Sequence, residues 1–183
     1  YVDLDKNGFI DTYDQMAIGG TENPEIVYGF GVNLRWKELD FGAMFQGIGR
    51  TWRILSSNIM PASNKGSMFN IFDNYQDRWT VDNQRQDVFY PRADYGPNAN
   101  NSQKSTWWLR NMSFLRLKNV ELGYSCPKKW LQGFVISNAR VFVRGTNLLT
   151  FSKFNLWDPE LDTGDGAKYP AMKSVSVGFD ITF

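Results

Sequence analysis

The final stretch, Val175-Ser176-Val177-Gly178-Phe179-Asp180-Ile181-Thr182-Phe183, alternates between apolar and polar side chains without a fault. Successive side chains of a strand point to opposite faces. Val175, Val177, Phe179, Ile181 and Phe183 therefore share one face, and Ser176, Gly178, Asp180 and Thr182 share the other. A soluble domain gains little from an aromatic tip on such a strand, because chain ends fray. A transmembrane β-barrel has a use for every part of the pattern. Its apolar face meets lipid, its polar face meets the lumen, and aromatics sit at the interface.

Four earlier stretches have the same character. In residues 26–36, Ile26, Tyr28, Phe30, Val32, Leu34 and Trp36 oppose Val27, Gly29, Gly31, Asn33 and Arg35. After Lys37-Glu38 the alternation resumes, with Leu39, Phe41, Ala43 and Phe45 against Asp40, Gly42, Met44 and Gln46. So short a connection predicts a hairpin over 26–47. Glycine recurs on its polar face, which suits a crowded interior. Residues 114–124 change phase, from Leu115 and Leu117 to Val120, Leu122 and Tyr124, and a bulge near Lys118-Asn119 accounts for the slip. Residues 139–150 alternate again, with Val141 and Val143 against Arg140, Phe142 and Arg144. Between these two, Pro127 is placed to start a short helical turn over 128–131, and Gly133 to end it.

The connections run short (37–38), long (48–111), shorter (125–138) and long (151–171). Outer-membrane barrels have short periplasmic turns and long extracellular loops. With Phe183 on the periplasmic side, every connection falls on the side its length demands. The expected organisation is an extracellular loop over 1–25, the hairpin 26–47 and a long extracellular loop over 48–111. The last three strands follow over 112–183, with a periplasmic turn at 125–138 and an extracellular loop at 151–171. The expected fold class is all-β: about five strands of a larger transmembrane antiparallel barrel with long extracellular loops. Five strands cannot close a barrel, for which about eight is the working minimum. Unpaired edges do not sit in lipid. The chain is expected to be a C-terminal piece, or one part of a split barrel.

Composition narrows function by exclusion. Among 183 residues there is no histidine and one cysteine, Cys126, so His-based metal sites and triads, internal disulfides and Cys-rich zinc sites are excluded. The net charge of +1 argues against nucleic acid as a partner. Aromatics reach 16% in a chain whose mean hydropathy is only −0.42, which fits interfacial girdles and sugar-stacking loops. No run approaches the roughly 18 apolar residues of a membrane helix, whereas barrel strands need only about 9–11. No paired carboxylates or activated nucleophile stand at a persuasive spacing, so an enzyme is not expected.

One motif stands apart. Asp3, Asp5, Asn7, Phe9, Asp11 and Asp14 occupy the ligand positions of a calcium loop, with Phe9 contributing its carbonyl and Gly8 at the sharp turn. Calcium takes six or more hard oxygens, and this spacing gathers them. Asp14 is shorter than the usual Glu. Ala17-Ile18-Gly19-Gly20 would break a following helix, so a lone, dockerin-type loop is expected rather than a paired EF-hand. The plainer alternative is a solvated Asx-turn.

Several stretches, in order, are similar to a known family: the Asp3–Asp14 loop with Ala17-Ile18-Gly19; Pro24-Glu25-Ile26-Val27-Tyr28-Gly29-Phe30; Phe45-Gln46-Gly47; Asp77-Arg78-Trp79-Thr80; Tyr90-Pro91-Arg92; Trp108-Leu109-Arg110-Asn111-Met112-Ser113-Phe114-Leu115-Arg116-Leu117-Lys118-Asn119-Val120; Asn147-Leu148-Leu149-Thr150; Trp157-Asp158-Pro159-Glu160; and Lys168-Tyr169-Pro170. From end to end the chain resembles the C-terminal part of the SusC/RagA family of TonB-dependent outer-membrane transporters of Bacteroidetes. The resemblance implies a plugged barrel of about 22 strands. It implies import of glycans or peptides with a SusD-like surface lipoprotein, TonB acting through an N-terminal region this chain lacks, and Phe183 as the barrel-assembly signal. The remaining partners would be the rest of the barrel and outer-membrane lipid. Trp79, Trp107, Trp108 and Trp157 in the outer loops are the candidate contacts for cargo or lid, against the plainer role of loop anchors. Two other functions share parts of the pattern: a passive porin-like barrel, and a soluble glycan-binding β-sandwich braced by a structural calcium loop.

Overall fold

The alternation predicted from sequence becomes one continuous sheet. The computed structural model describes residues 1–55, 59, 72–93, 98 and 100–183; part of the expected loop at 48–111 lies outside the described residues. The strands are β1 (Ile26–Trp36), β2 (Leu39–Gly49), β3 (Trp52–Ile54), β4 (Leu109–Asn111), β5 (Phe114–Ser125), β6 (Asn138–Ser152) and β7 (Ser174–Thr182). Five of them form an antiparallel sheet in the order β1-β2-β5-β6-β7, and β3 pairs with β4.

Local chemistry sets the register. Trp36 pairs with Leu39 across Lys37-Glu38, and Lys37 takes φ 54°, the left-handed twist that tight hairpin turns need. The bulge falls at Lys118: Met44 pairs with Asn119 and Phe45 with Leu117, so Lys118 has no partner position on β2. On the other side Leu117 pairs with Leu149 and Asn119 with Thr146, and Asn147 turns left-handed at φ 54°. Asparagine tolerates that conformation better than most residues. The bulge restores Leu115, Leu117, Val120 and Leu122 to a single face. At the β5–β6 connection a one-turn helix, α1 (Lys128–Leu131), follows Pro127, and Gly133 takes φ 95°.

Each face is now defined by cross-strand pairs. One carries Phe30 opposite Phe45, Leu34 opposite Phe41, Leu122 opposite Val143, and Val143 opposite Val177. Phe30 and Phe45 stack with ring centroids 5.1 Å apart. This apolar face has no cover among the described residues: Phe30 is 56% exposed and Phe179 76%. Every charged residue of β2, β6 and β7 lies on the other face.

Those charges assemble around Arg140. Its guanidinium reaches Asp40 at 2.5 Å, Glu121 at 2.6 Å and Asp180 at 3.4 Å, and Arg144 holds the second oxygen of Glu121 at 2.6 Å. Asp40 lies two strands from Arg140, and the strand between offers Gly123. A Cβ on Gly123 would lie 2.6 Å from the Asp40 carboxylate oxygens and would collide with the Arg140 guanidinium. Glycine thus opens the passage for the ion pair. Phe142, an aromatic on the polar face, is held beneath both arginines, 5.1 and 5.2 Å from their guanidinium carbons.

The described residues divide into two compact units. The sheet unit is Gly20–Trp52, Asn111–Asp162 and Lys168–Phe183; the other is Tyr1–Gly19, Arg53–Arg110 and Thr163–Ala167. Within the second unit, part of the expected long connection at 48–111 carries a core of its own. Leu55, Ile59, Val88, Tyr90 and Trp108 are buried there. Tyr90 packs against Tyr75, Phe89 and Trp108 at 5.6, 4.6 and 6.3 Å between ring centroids. The backbone closes on itself through Leu55 N–H to Trp108 O and Trp79 N–H to Tyr90 O, each 3.0 Å. A core of aromatics on turns has no period of two or 3.6, so no strand or helix pattern announced it.

Gly123→Ala is expected to push Arg140 off Asp40 and to cost about 1–3 kcal/mol by overpacking. The check is the urea midpoint of the full-length barrel followed by heat-modifiable electrophoresis, with an unchanged midpoint as the contrary result.

Candidate functional site

A second charge cluster stands at the other end of the polar face. Arg116, on β5 beyond the bulge, is 2% exposed. It pairs with Asp158, and with Glu160 at 2.9 Å; Lys118 from the bulge reaches the other Glu160 oxygen at 2.5 Å. Asp158 and Glu160 lie at a one-turn 3-10 helix, Pro159–Leu161, in which the Asp158 carboxylate caps the Glu160 N–H at 3.0 Å. The stretch Trp157-Asp158-Pro159-Glu160 is thereby pinned over the polar side of β5 and β6. Burial alone would raise the Asp158 carboxyl. Hydrogen bonds from Arg116 and from the Glu160 backbone outweigh it and hold the group below the usual carboxylate range.

The four tryptophans separate. Trp108 is 1% exposed, and its indole N–H donates to Asn101 O at 3.0 Å. It is a core anchor and leaves the set of surface contacts, because packing covers both faces of its ring. Trp107 is half-buried and donates to Phe89 O at 3.0 Å. Trp79 is half-buried with Arg92 over its ring at 5.9 Å. Trp157 meets Phe154 edge-on at 4.9 Å, and its indole nitrogen has no hydrogen-bond partner among the described residues. Phe183 is 80% exposed, just past β7.

The Asp3–Asp14 loop closes on itself. Asn7 N–H donates to Asp3 at 3.2 Å and to Asp5 at 3.1 Å, and Gly8 N–H to Asp3 at 2.8 Å. Asp14 accepts from Leu4 and Asp11 at 2.6 and 2.8 Å. These two contacts, that from Asp11 first, lower its carboxyl below the usual value. Gly8 sits at φ 88°. Carboxylate oxygens of Asp3, Asp5 and Asp14 lie within 4.8 Å of one another. Three like charges at that range repel and are relieved by a cation, so this donor set fits a hard divalent ion. The Asp11 carboxylate caps a 3-10 turn by accepting from Tyr13 N–H at 2.8 Å.

Sequence reasoning named Arg140, Asp40, Arg144 and Asp180 for the polar face but missed the Arg116 cluster. The signal was the spacing of Arg116 and Lys118, whose significance depends on the bulge.

Comparison with known proteins identifies the wall. No family model matches the chain. Over 198 residues it is 31% identical to TonB-dependent receptor P26 of Formosa agariphila, a match that spans all of this chain and 19% of that protein. The TonB-dependent receptor SusC of Bacteroides thetaiotaomicron is 25% identical over 187 residues, covering all of this chain and 17% of SusC. The RagAB peptide importer in its closed-closed state superposes with a TM-score of 0.76 at 32% identity, covering all of this chain and 20% of that one. The chain belongs with the SusC/RagA-type TonB-dependent receptors. It spans about a fifth of the length of the curated relatives it matches, and its sheet corresponds to the C-terminal part of a TonB-dependent β-barrel. In this SusC/RagA-type segment the two charge clusters lie on one face of the wall.

A carboxyl whose folded value is depressed adds stability above its unfolded value and loses that contribution as pH falls through the folded one. The thermal midpoint of the wild type should exceed that of Asp158→Asn by a constant margin down to about pH 4, the ordinary carboxylate value. The gap should close at lower pH, and a gap that persists in stronger acid would count against the pairing.

Proposed function

We propose that this chain forms part of the wall and outer loops of a TonB-dependent outer-membrane importer for glycans or peptides. The observation that carries the proposal is the division of the sheet. Phe30, Val32, Leu34, Val141, Val177 and Phe179 form an exposed apolar face, while Arg140, Asp40, Glu121 and Asp180 pair on the other. Charge on a lipid-facing strand position costs about 2–4 kcal/mol for Arg or Lys near the midplane, so the charged face is the lumenal one. A soluble β-sandwich would bury Phe30 and Phe179 under a second sheet. Likeness to receptors that bear the TonB-dependent name favours an energised importer over a passive porin.

The neighbours of β1 and β7 come from the rest of the barrel, and the plug and TonB-contacting segment from its N-terminal region. A SusD-like surface lipoprotein covers the outer loops, in line with the likeness to RagAB. Phe183 serves as the assembly signal, the turn around α1 faces the periplasm, and the 1–25, 48–111 and 151–171 segments face outward. Trp79, Trp107 and Trp157 are the aromatic contacts for cargo or lid. Calcium braces the 1–25 loop through Asp3, Asp5, Asn7 and Asp14, with Phe9 and Asp11 completing the shell through the carbonyl and a bridging water.

In the full-length transporter, Phe179→Asp should block insertion into the outer membrane, whereas Thr182→Ala on the polar face should insert normally. Equal tolerance of both, by surface labelling and heat-modifiable migration, would refute the assigned facing. For the loop, calorimetry should show calcium binding in the range of extracellular modules, a dissociation constant of about 10⁻⁴–10⁻³ M. Asp5→Ala should abolish it, and a wild type without heat would remove the ion from the account.

A further inference from the structure

Two connections share one end of the sheet. The β1–β2 turn is Lys37-Glu38, whereas the β5–β6 connection runs over 126–137. The backbone of the longer one is tied down. Cys126 N–H donates to Ala139 O at 2.7 Å, Phe134 N–H to Leu131 O at 3.1 Å and Ser137 N–H to Thr182 O at 2.7 Å. Its apolar side chains nonetheless stand in the open: Trp130 is 66% exposed, Phe134 70% and Val135 85%. Contiguous apolar surface of this kind marks a contact site. The adjoining wall does not cover it, because β5 and β6 are inner strands whose neighbours, β2 and β7, are already in place.

Charge and continuity say what the cover is. Lys128 and Lys129 are exposed, and no Asp or Glu occurs between 126 and 137. At the other turn the Lys37 ammonium lies over the Trp36 ring, 4.9 Å from its centroid. The apolar face of the sheet reaches this same rim: Trp36, Leu39, Tyr124, Val141 and Phe179 make one lateral row. The patch therefore continues the face that the wall reading gives to hydrocarbon, and it carries positive charge. A protein partner would account for the patch but not for its continuity with that row. Amphipathic rings with lysines beside them suit a membrane interface, where the rings meet the acyl boundary and the ammonium groups snorkel to the headgroups.

We propose that the 126–137 connection is an interfacial anchor for anionic phospholipid. Trp130, Phe134 and Val135 enter the acyl boundary, and Lys128 and Lys129 hold the negatively charged headgroups. The proposal rests on the wall reading and goes beyond it: that reading places only strands in lipid, whereas here a connection enters the interface and selects among lipids.

The test uses the full-length transporter in phosphatidylcholine vesicles, with Cys126 and any other cysteine replaced by serine and one nitrobenzoxadiazole fluorophore attached at Val135→Cys. The probes are phosphatidylglycerol and phosphatidylcholine with a nitroxide high on the acyl chain, each added as the same minor fraction. Both should quench the fluorophore, and phosphatidylglycerol should occupy the site roughly fivefold better, the preference that one lysine near an anionic surface confers. In Lys128→Gln/Lys129→Gln the two lipids should quench equally. No quenching by either lipid would overturn the proposal and give the patch to water or to a protein partner. Equal quenching by both lipids with the lysines present, or a preference that survives their loss, would overturn it as well. The comparison of the two lipids with the lysines present decides the matter even if the double variant does not fold. A second label at Val177→Cys, on the apolar face, separates the two levels in samples whose heat-modifiable migration shows a formed barrel. Quenching at 177 without quenching at 135 removes the anchor alone, whereas quenching at neither position removes the wall reading too.

Discussion

The passage of Arg140 across Gly123 to Asp40 organises the sheet. One guanidinium joins carboxylates from β2, β5 and β7 to its own strand β6. Isolated surface ion pairs contribute little, but a network that ties four strands fixes their register and commits one face to charge. Once that face is committed, the opposite face is left to aliphatic and aromatic side chains, Phe30, Val177 and Phe179 among them. A sheet so divided needs hydrocarbon on one side and polar company on the other, which is the solvent arrangement of a barrel wall.

Beyond the bulge at Lys118 the same face holds a second task. Arg116 is almost fully buried, and two carboxylates from the β6–β7 connection close over it. Burying a guanidinium is costly unless it is paired, so Asp158 and Glu160 are as much a condition of Arg116 as a consequence of it. The bulge links the two regions: it restores the apolar phase on one face and swings Lys118 to Glu160 on the other. A structural correction of register thus supplies a residue to the second cluster.

The second unit obeys a different rule. Its core is aromatic, and burial acts on its polar groups directly. The Tyr90 phenol is pushed up to about 12, mainly by burial. Arg110 is lowered by the same cause while it donates to Trp107 O and Leu109 O. Trp108, a candidate surface contact by composition, is instead part of that core. Aromatic content alone does not distinguish a ring that waits for a ligand from a ring that holds a fold.

Sequence by itself determined the five strands, their two faces, the hairpin at Lys37-Glu38, the bulge at Lys118 and the turn after Pro127. Each follows from periodicity or backbone chemistry confined to neighbouring residues, which a linear chain displays in full. It likewise displayed the Asp3–Asp14 spacing, since that motif is local. Tertiary structure alone decided which charges meet: Arg140 with Asp40 lies 100 positions apart, and Arg116 with Asp158 lies 42. It decided that residues 53–110 contribute to a compact unit, because an aromatic core on irregular backbone leaves no period to detect. It also decided which polar atoms are buried, Arg116 Nε and Trp157 Nε1 among them, since burial depends on what folds over a residue and not on what precedes it.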